Sequence, residues 1–137
     1  MDWKLELIVV PVSDIDRAKA FYLEQAGFDL LVDVSPGGEF RVVQLTPPGS
    51  HCSIALMANP EAAGSVQGLH LVVDDIGAAH AALVERGAKP GEPYHFVDGK
   101  QLDGIDPERA DYATFLSFAD PDGTGWLVQE VAHRAHA

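Results

Sequence analysis

An α+β fold of two tandem βαβββ modules, forming curved mixed sheets around a cavity, is what this sequence predicts. Three observations carry the prediction. A strand pattern feeds directly into helical spacing at two places, a repeat of about 60 residues superposes those two junctions, and strand-like runs follow each helix. The 137 residues are one domain's worth, enough to bury a sizeable core.

The first module spans residues 4–58. "LELIVVPV" is rich in Val and Ile and stops at "SDID", after which Ile15, Ala18, Phe21 and Tyr22 take helical spacing. Ser13 or Asp14 supplies the cap, because a short side-chain oxygen accepts from the free amides of the first turn. Gly27 suits the helix end, where a positive φ is wanted. "FDLLVDV", "EFRVVQL" and "HCSIALM" then read as three strands separated by "PGG" and "TPPGS".

"NPEAAGSVQ" supplies the linker, 59–66, and the second module runs over 67–132. "GLHLVV" is its first strand, with Asp74 or Asp75 as cap, Ile76, Ala79, Ala82 and Leu83 on the helix face, and Gly87 as stop. "PYHFV", a long polar loop, "DYATFLSF", the turn "DPDG" and "GWLVQEV" complete it. Laying residue 7 on residue 68 pairs six identical residues, among them Val12 with Val73, Asp14 with Asp75 and Ile15 with Ile76. They fall on cap and core positions.

Alternation divides each first strand between two faces. Ile8, Val10 and Val12 belong to the helix side, and Leu7, Val9 and Pro11 to the concave side. In the second module Leu69, Leu71 and Val73 take the helix side, which turns Gly68, His70 and Val72 inward. Four strands and one helix leave one sheet face bare, so pairing the two sheets is expected to enclose a cavity.

Composition narrows the function. The formal charge is −12 and the pI near 4.6, with no Lys/Arg cluster, so the chain would repel a phosphate backbone and nucleic acid is not an expected partner. Cys52 is the only cysteine, which excludes an intramolecular disulfide and a thiolate metal cluster. "MDWKLELIVVPVSD" lacks the charge and cleavage pattern of a signal peptide, and no apolar run reaches the roughly 20 residues of a membrane span. A cytoplasmic protein with no membrane partner is the expectation.

The two βαβββ modules, the junctions at Val12 to Asp14 and Val73 to Asp75, "RAKAFY" and "FADPDGTGW" together resemble the vicinal oxygen chelate superfamily, the group of glyoxalase I, bleomycin-resistance proteins and extradiol dioxygenases. The resemblance covers essentially the whole chain. It implies up to four His, Glu or Gln metal ligands in the metal-dependent members, and those positions fall here on Leu7, Ala55, Gly68 and Leu127. None of these side chains binds a metal.

The reading is therefore a glyoxalase/bleomycin-resistance-like protein that binds a small organic molecule in a largely apolar cleft, with no metal at the usual positions and no cofactor. His70 is the candidate general acid or base, since imidazole donates, accepts and changes charge near neutrality. Gln129, Ser53 and Met57 join it by parity, Leu7, Val9 and Leu127 as apolar lining. Either Arg41 or Gln44 points inward from the third strand: Arg41 would favour an anion, Gln44 a neutral polar molecule. Tyr112, Phe115, Phe118 and Trp126 are assigned to core and cavity wall.

The alternative is a metal-dependent lyase, isomerase or dioxygenase with ligands displaced to His70 and Gln129, joined by Glu130 or His51. "DGKQLDGIDPERAD" is long enough to serve as a lid, His51 and His80 are placed on the surface, and His133, Arg134 and His136 in a C-terminal tail. Resemblance further implies a homodimer.

Overall fold

Local capping sets where each helix begins. In a computed structural model describing residues 1–133, Asp14 accepts from the Arg17 amide at 3.1 Å and Asp75 from the Ala78 amide at 3.1 Å, so the second of the two offered cap residues is used in both modules. Arg134 and His136 lie outside the described residues.

The chain divides into two compact units, Met1–Val66 with Asp120–Thr124, and Gln67–Ala119 with the described residues from Gly125 onward. The first unit runs β1 (Leu7–Val12), α1 (Ile15–Ala20), β2 (Asp29–Gly37), β3 (Phe40–Thr46) and β4 (Ser53–Ala58). Its sheet has the order β1-β4-β3-β2, with β1 parallel to β4 and the other pairs antiparallel. After α1 the backbone widens into a π-helical turn, Phe21–Gln25, in which Ala26 N bonds Phe21 O at 2.9 Å. The wider turn buries the neighbouring rings of Phe21 and Tyr22 together.

The second unit runs β5 (Leu69–Val73), α2 (Ile76–Glu85), β6 (Tyr94–Val97), β7 (Lys100–Asp103), β8 (Thr114–Ala119) and β9 (Gly125–Glu130), and its sheet has the order β5-β9-β8-β6-β7. The sheets are mixed, of four and five strands, as expected of an α+β fold. The fifth strand corrects the simple βαβββ expectation. Asp98 and Gly99 both have positive φ, 51° and 78°, the geometry of a two-residue hairpin turn, so the start of the polar loop folds back as β7.

The rest of that loop is not a lid. Arg109 reaches from it to Glu130 and Asp75, and Ile105 lies beside Gly77, so the segment is tied to the start of α2 on the helix side.

Helix contacts identify the two faces of each sheet. α1 lies against β4, and α2 against β8 and β9. Val10, Val12, Val43, Leu45 and Leu56 form the first helix-side core, and Leu116, Phe118, Trp126 and Val128 the second, where Phe118 and Trp126 stack with centroids 5.9 Å apart. These two rings are core only. Tyr112 is a correction in the other direction: it is 55% exposed with φ of 63°, because its backbone turns there to bond Glu130 O. Gly64 shows how closely the first unit is packed: at φ 82° a Cβ would stand 2.2 Å from the Asp122 carbonyl.

Candidate functional site

Register assembles a single row of side chains across the helix-free face of the second sheet. Val72 lies opposite Gln129, Gln129 opposite Phe115, Phe115 opposite Tyr94 and Tyr94 opposite Asp103. Residues directly opposite one another share a face, so all five project to the same side. Phe96 joins them two residues along β6. The three rings form a connected group: Tyr94 to Phe115 is 5.8 Å, Tyr94 to Phe96 5.9 Å and Phe96 to Phe115 6.1 Å between centroids. Phe96 is 52% exposed. Tyr94 and Phe115 are half-buried beside it, so the group presents an apolar patch on this face.

His70 stands one row away, opposite Leu127, with Ser117 beyond it. Its Nδ1 is 2.6 Å from the Gly68 carbonyl oxygen, which only accepts, so Nδ1 carries a proton and donates it to that carbonyl, and Nε2 is the ring nitrogen left for another partner. His70 is exposed. Gln129 is half-buried beside Phe115 and contributes both an amide donor and an acceptor.

In the first unit the helix-free face carries Leu7, Val9 and Pro11 from β1, opposite Ser53, Ala55 and Met57. Gln44 lies opposite Ala55 and belongs to this face. Its amide donates to the Glu6 carboxylate at 3.1 Å. Ser53 and Thr46 share a hydroxyl hydrogen bond of 2.7 Å, at the side of a cleft of about 350 Å³ that Glu6, Asp29 and His51 also line. His51 is thus an exposed residue at a cleft edge.

Arg41 sits on the opposite face, and the choice between it and Gln44 falls to Gln44. Odd-numbered residues of β3 face α1. Arg41 there donates to both oxygens of Asp33 at 3.0 Å and to Asp16 at 2.7 Å, while Lys19 adds a bond to Asp33 at 2.7 Å. The Arg41 guanidinium, followed by Lys19, holds the Asp33 carboxyl well below the usual carboxylate range, and Asp33 in turn pushes Arg41 up. A guanidinium spent on two carboxylates does not recognise an anion, and Arg41 leaves the candidate set.

The four positions that the resemblance implies as metal ligands carry Leu7, Ala55, Gly68 and Leu127, none with a ligating side-chain atom. Displacement along the strands does not restore a donor set. Glu130 is on the helix side, 1% exposed, and its oxygens accept from Arg109 and from the Ile76 amide. Among the described residues no three His, Cys, Asp or Glu side chains converge as metal ligands do. The residues present do not fit the metal.

Tyr94, Phe96 and Asp103 escaped the sequence reading. "PYHFV" was legible as a strand, but its face depends on its pairing with β8. The available signal was Asp-Gly at 98–99, which fixes the β6–β7 register and sets Asp103 opposite Tyr94.

A model of the Glyoxalase/Bleomycin resistance protein/Dioxygenase superfamily matches residues 4–128. A curated Bacillus subtilis (strain 168) protein, the uncharacterized YetH, is 25% identical over 126 residues, which cover 90% of this chain and 94% of YetH. Among solved structures, TnmS3, an antibiotic binding protein from Streptomyces sp. CB03234, is 34% identical with a TM-score of 0.73, covering 95% of this chain and 97% of its own. A glyoxalase/bleomycin resistance protein from the same strain is 34% identical with a TM-score of 0.69, covering 93% and 100%. A superfamily member from Sphaerobacter thermophilus DSM 20745 is 25% identical with a TM-score of 0.71, covering 94% and 98%.

Proposed function

The chain belongs to the glyoxalase/bleomycin resistance protein/dioxygenase superfamily, and from that premise we propose that it binds a small organic molecule on the helix-free face of its second sheet, without a metal at the family's usual positions. The observation that carries this reading is the open aromatic group of Tyr94, Phe96 and Phe115 in line with Gln129. Flat rings supply contact area at little conformational cost, and one amide fixes orientation. His70 presents Nε2 on the same face, and it is the candidate general acid or base should a bound molecule react. The likeness to an antibiotic binding protein supports the same reading.

Thermal-shift titration with a panel of aromatic antibiotics, bleomycin included, tests it. At least one compound is expected to raise the melting temperature in a saturable way, and Phe115→Ala to weaken its binding about 10–100-fold, the loss of one buried ring contact. A panel without effect, or binding indifferent to Phe115, would overturn the proposal.

Homodimer assembly is part of the proposal. Trp3 is 88% and Leu5 66% exposed, alternating with Asp2, Lys4 and Glu6 just before β1, a pattern that presents one apolar edge. Sedimentation equilibrium is expected to give twice the 14.7 kDa chain mass, and Trp3→Ser with Leu5→Ser to return the monomer. A monomeric wild-type chain at micromolar concentration would remove this part.

A further inference from the structure

The aromatic row ends on a carboxylate. Tyr94 stands opposite Asp103 and Phe96 opposite Gln101, so β7 adds an acid and an amide to the face that carries Phe115 and Gln129. The side chain of Asp103 has no hydrogen-bond or ion-pair partner among the described residues. Lys100 is the one cationic residue in these five strands. It pairs with Val97 and so takes the other face, with His95. Among the described residues, then, the strands of this sheet place one carboxylate and no Lys or Arg beside the three rings.

We propose that the molecule this face takes is an aromatic cation, a planar ring system bearing a protonated amine, with its ring against Tyr94, Phe96 and Phe115 and its charge beside Asp103. The inference rests on the binding reading above. Ring faces carry the negative end of the aromatic quadrupole and attract cations, so rings and carboxylate favour the same sign of charge. Opposite residues in a sheet have Cβ atoms roughly 5 Å apart, which sets the carboxylate within reach of an amine on a ring seated over Tyr94. The net charge of −12 adds long-range attraction to the same ligands. An anion would meet repulsion from all three sources. Edge strands carry charges as a guard against pairing, and Lys100 already guards β7. That role does not call for an acid on the aromatic side.

The test uses three acridines of one shape, titrated by fluorescence at neutral pH and about 0.15 M salt: 9-aminoacridine as cation, acridine as neutral ring, acridine-9-carboxylate as anion. 9-Aminoacridine is expected to bind at least about 10-fold tighter than acridine, with the carboxylate weakest. Asp103→Asn is expected to remove most of the cation's advantage and leave acridine unchanged. Asp98→Asn removes the same charge at the hairpin tip, where asparagine tolerates φ of 51°, and is expected to change nothing. If the three probes bind alike and Phe115→Ala still weakens them all, the cation inference falls and the binding reading stands. If Asp103→Asn behaves as Asp98→Asn does, net charge alone is at work and the inference falls as well. If no probe binds, the binding reading fails and takes the inference with it.

Discussion

Glu130→Ala lowers the melting temperature by about 10 °C, the expected consequence of losing roughly 2–4 kcal/mol. Glu130 ends β9 on the helix side, 1% exposed. One carboxylate ties three segments together there. Oε2 accepts from the Ile76 amide at 2.9 Å, one of the first-turn donors of α2 that has no partner within the helix. Oε1 accepts from Arg109 Nε at 2.9 Å, and a second guanidinium bond goes to Oε2. Arg109 also lies 3.6 Å from Asp75, the cap of the same helix. Alanine leaves the Ile76 amide unsatisfied and removes the Arg109 tie between the 104–113 segment and β9, so that the backbone bond from Tyr112 to Glu130 O is left to hold it. The arginine is half exposed, so solvent compensates part of its loss, and the buried amide carries most of the cost. Glu130→Gln keeps an acceptor for Ile76 and is expected to cost about half as much.

The same carboxylate predicts a pH dependence. The Arg109 hydrogen bonds hold its carboxyl below the usual range against the upward push of burial, with the Ile76 amide adding to the lowering. A folded-state value below the unfolded one, about 4.3 for glutamate, means the stabilisation is complete above that pH and is lost as pH falls through the folded value. Melts recorded from neutral pH downward should therefore fall more steeply for wild type than for Glu130→Gln below about pH 4. Parallel curves would show that other acids, Asp33 and Asp122 among them, account for the acid sensitivity.

What the sequence disclosed was local. Both caps follow from short oxygen-bearing residues placed before a helical pattern, and the burial of Val10 and Val12 against the exposure of Val9 follows from alternation within one strand. The face of Arg41 was open because two irregularities interrupt the pairing of β2 with β3, between Leu30 and Val32 and between Val34 and Gly37, so counting back from the turn gives no parity. Only pairing with β4, which sets Gln44 opposite Ala55, decides it. The β6–β7 hairpin was locally encoded in Asp98-Gly99, yet the polar composition around it argued for a loop. The site depends on that hairpin. Its aromatic row joins residues from five strands, and neither a repeat nor a period reports which residue of one strand faces which residue of the next.

Asp120→Ala is expected to destabilise by about 3–4 kcal/mol, because three donors converge on a side chain that is 5% exposed. The Tyr22 hydroxyl donates to Oδ2 at 2.8 Å, and the amides of Asp122 and Thr124 donate to Oδ1, each at 2.9 Å. "DPDG" reads correctly as a turn, but the first aspartate does more than turn the chain. It is the acceptor for a tyrosine 98 residues away that is wholly buried against Phe21 and Phe28, at centroid distances of 5.1 and 5.5 Å. Asparagine keeps the carbonyl oxygen for the two amides and turns its NH₂ toward the tyrosine oxygen, which then accepts. Asp120→Asn should accordingly cost about 1 kcal/mol. Tyr22→Phe removes a single donor and leaves the carboxylate with two amides, also about 1 kcal/mol. Urea denaturation of the two single variants and of Tyr22→Phe combined with Asp120→Ala separates the pair from its surroundings. The double variant should recover about 1 kcal/mol relative to the sum of the singles, since the unsatisfied hydroxyl is gone. Strict additivity would mean that the tyrosine hydroxyl and the carboxylate do not interact, and that the turn amides alone hold Asp120 in place.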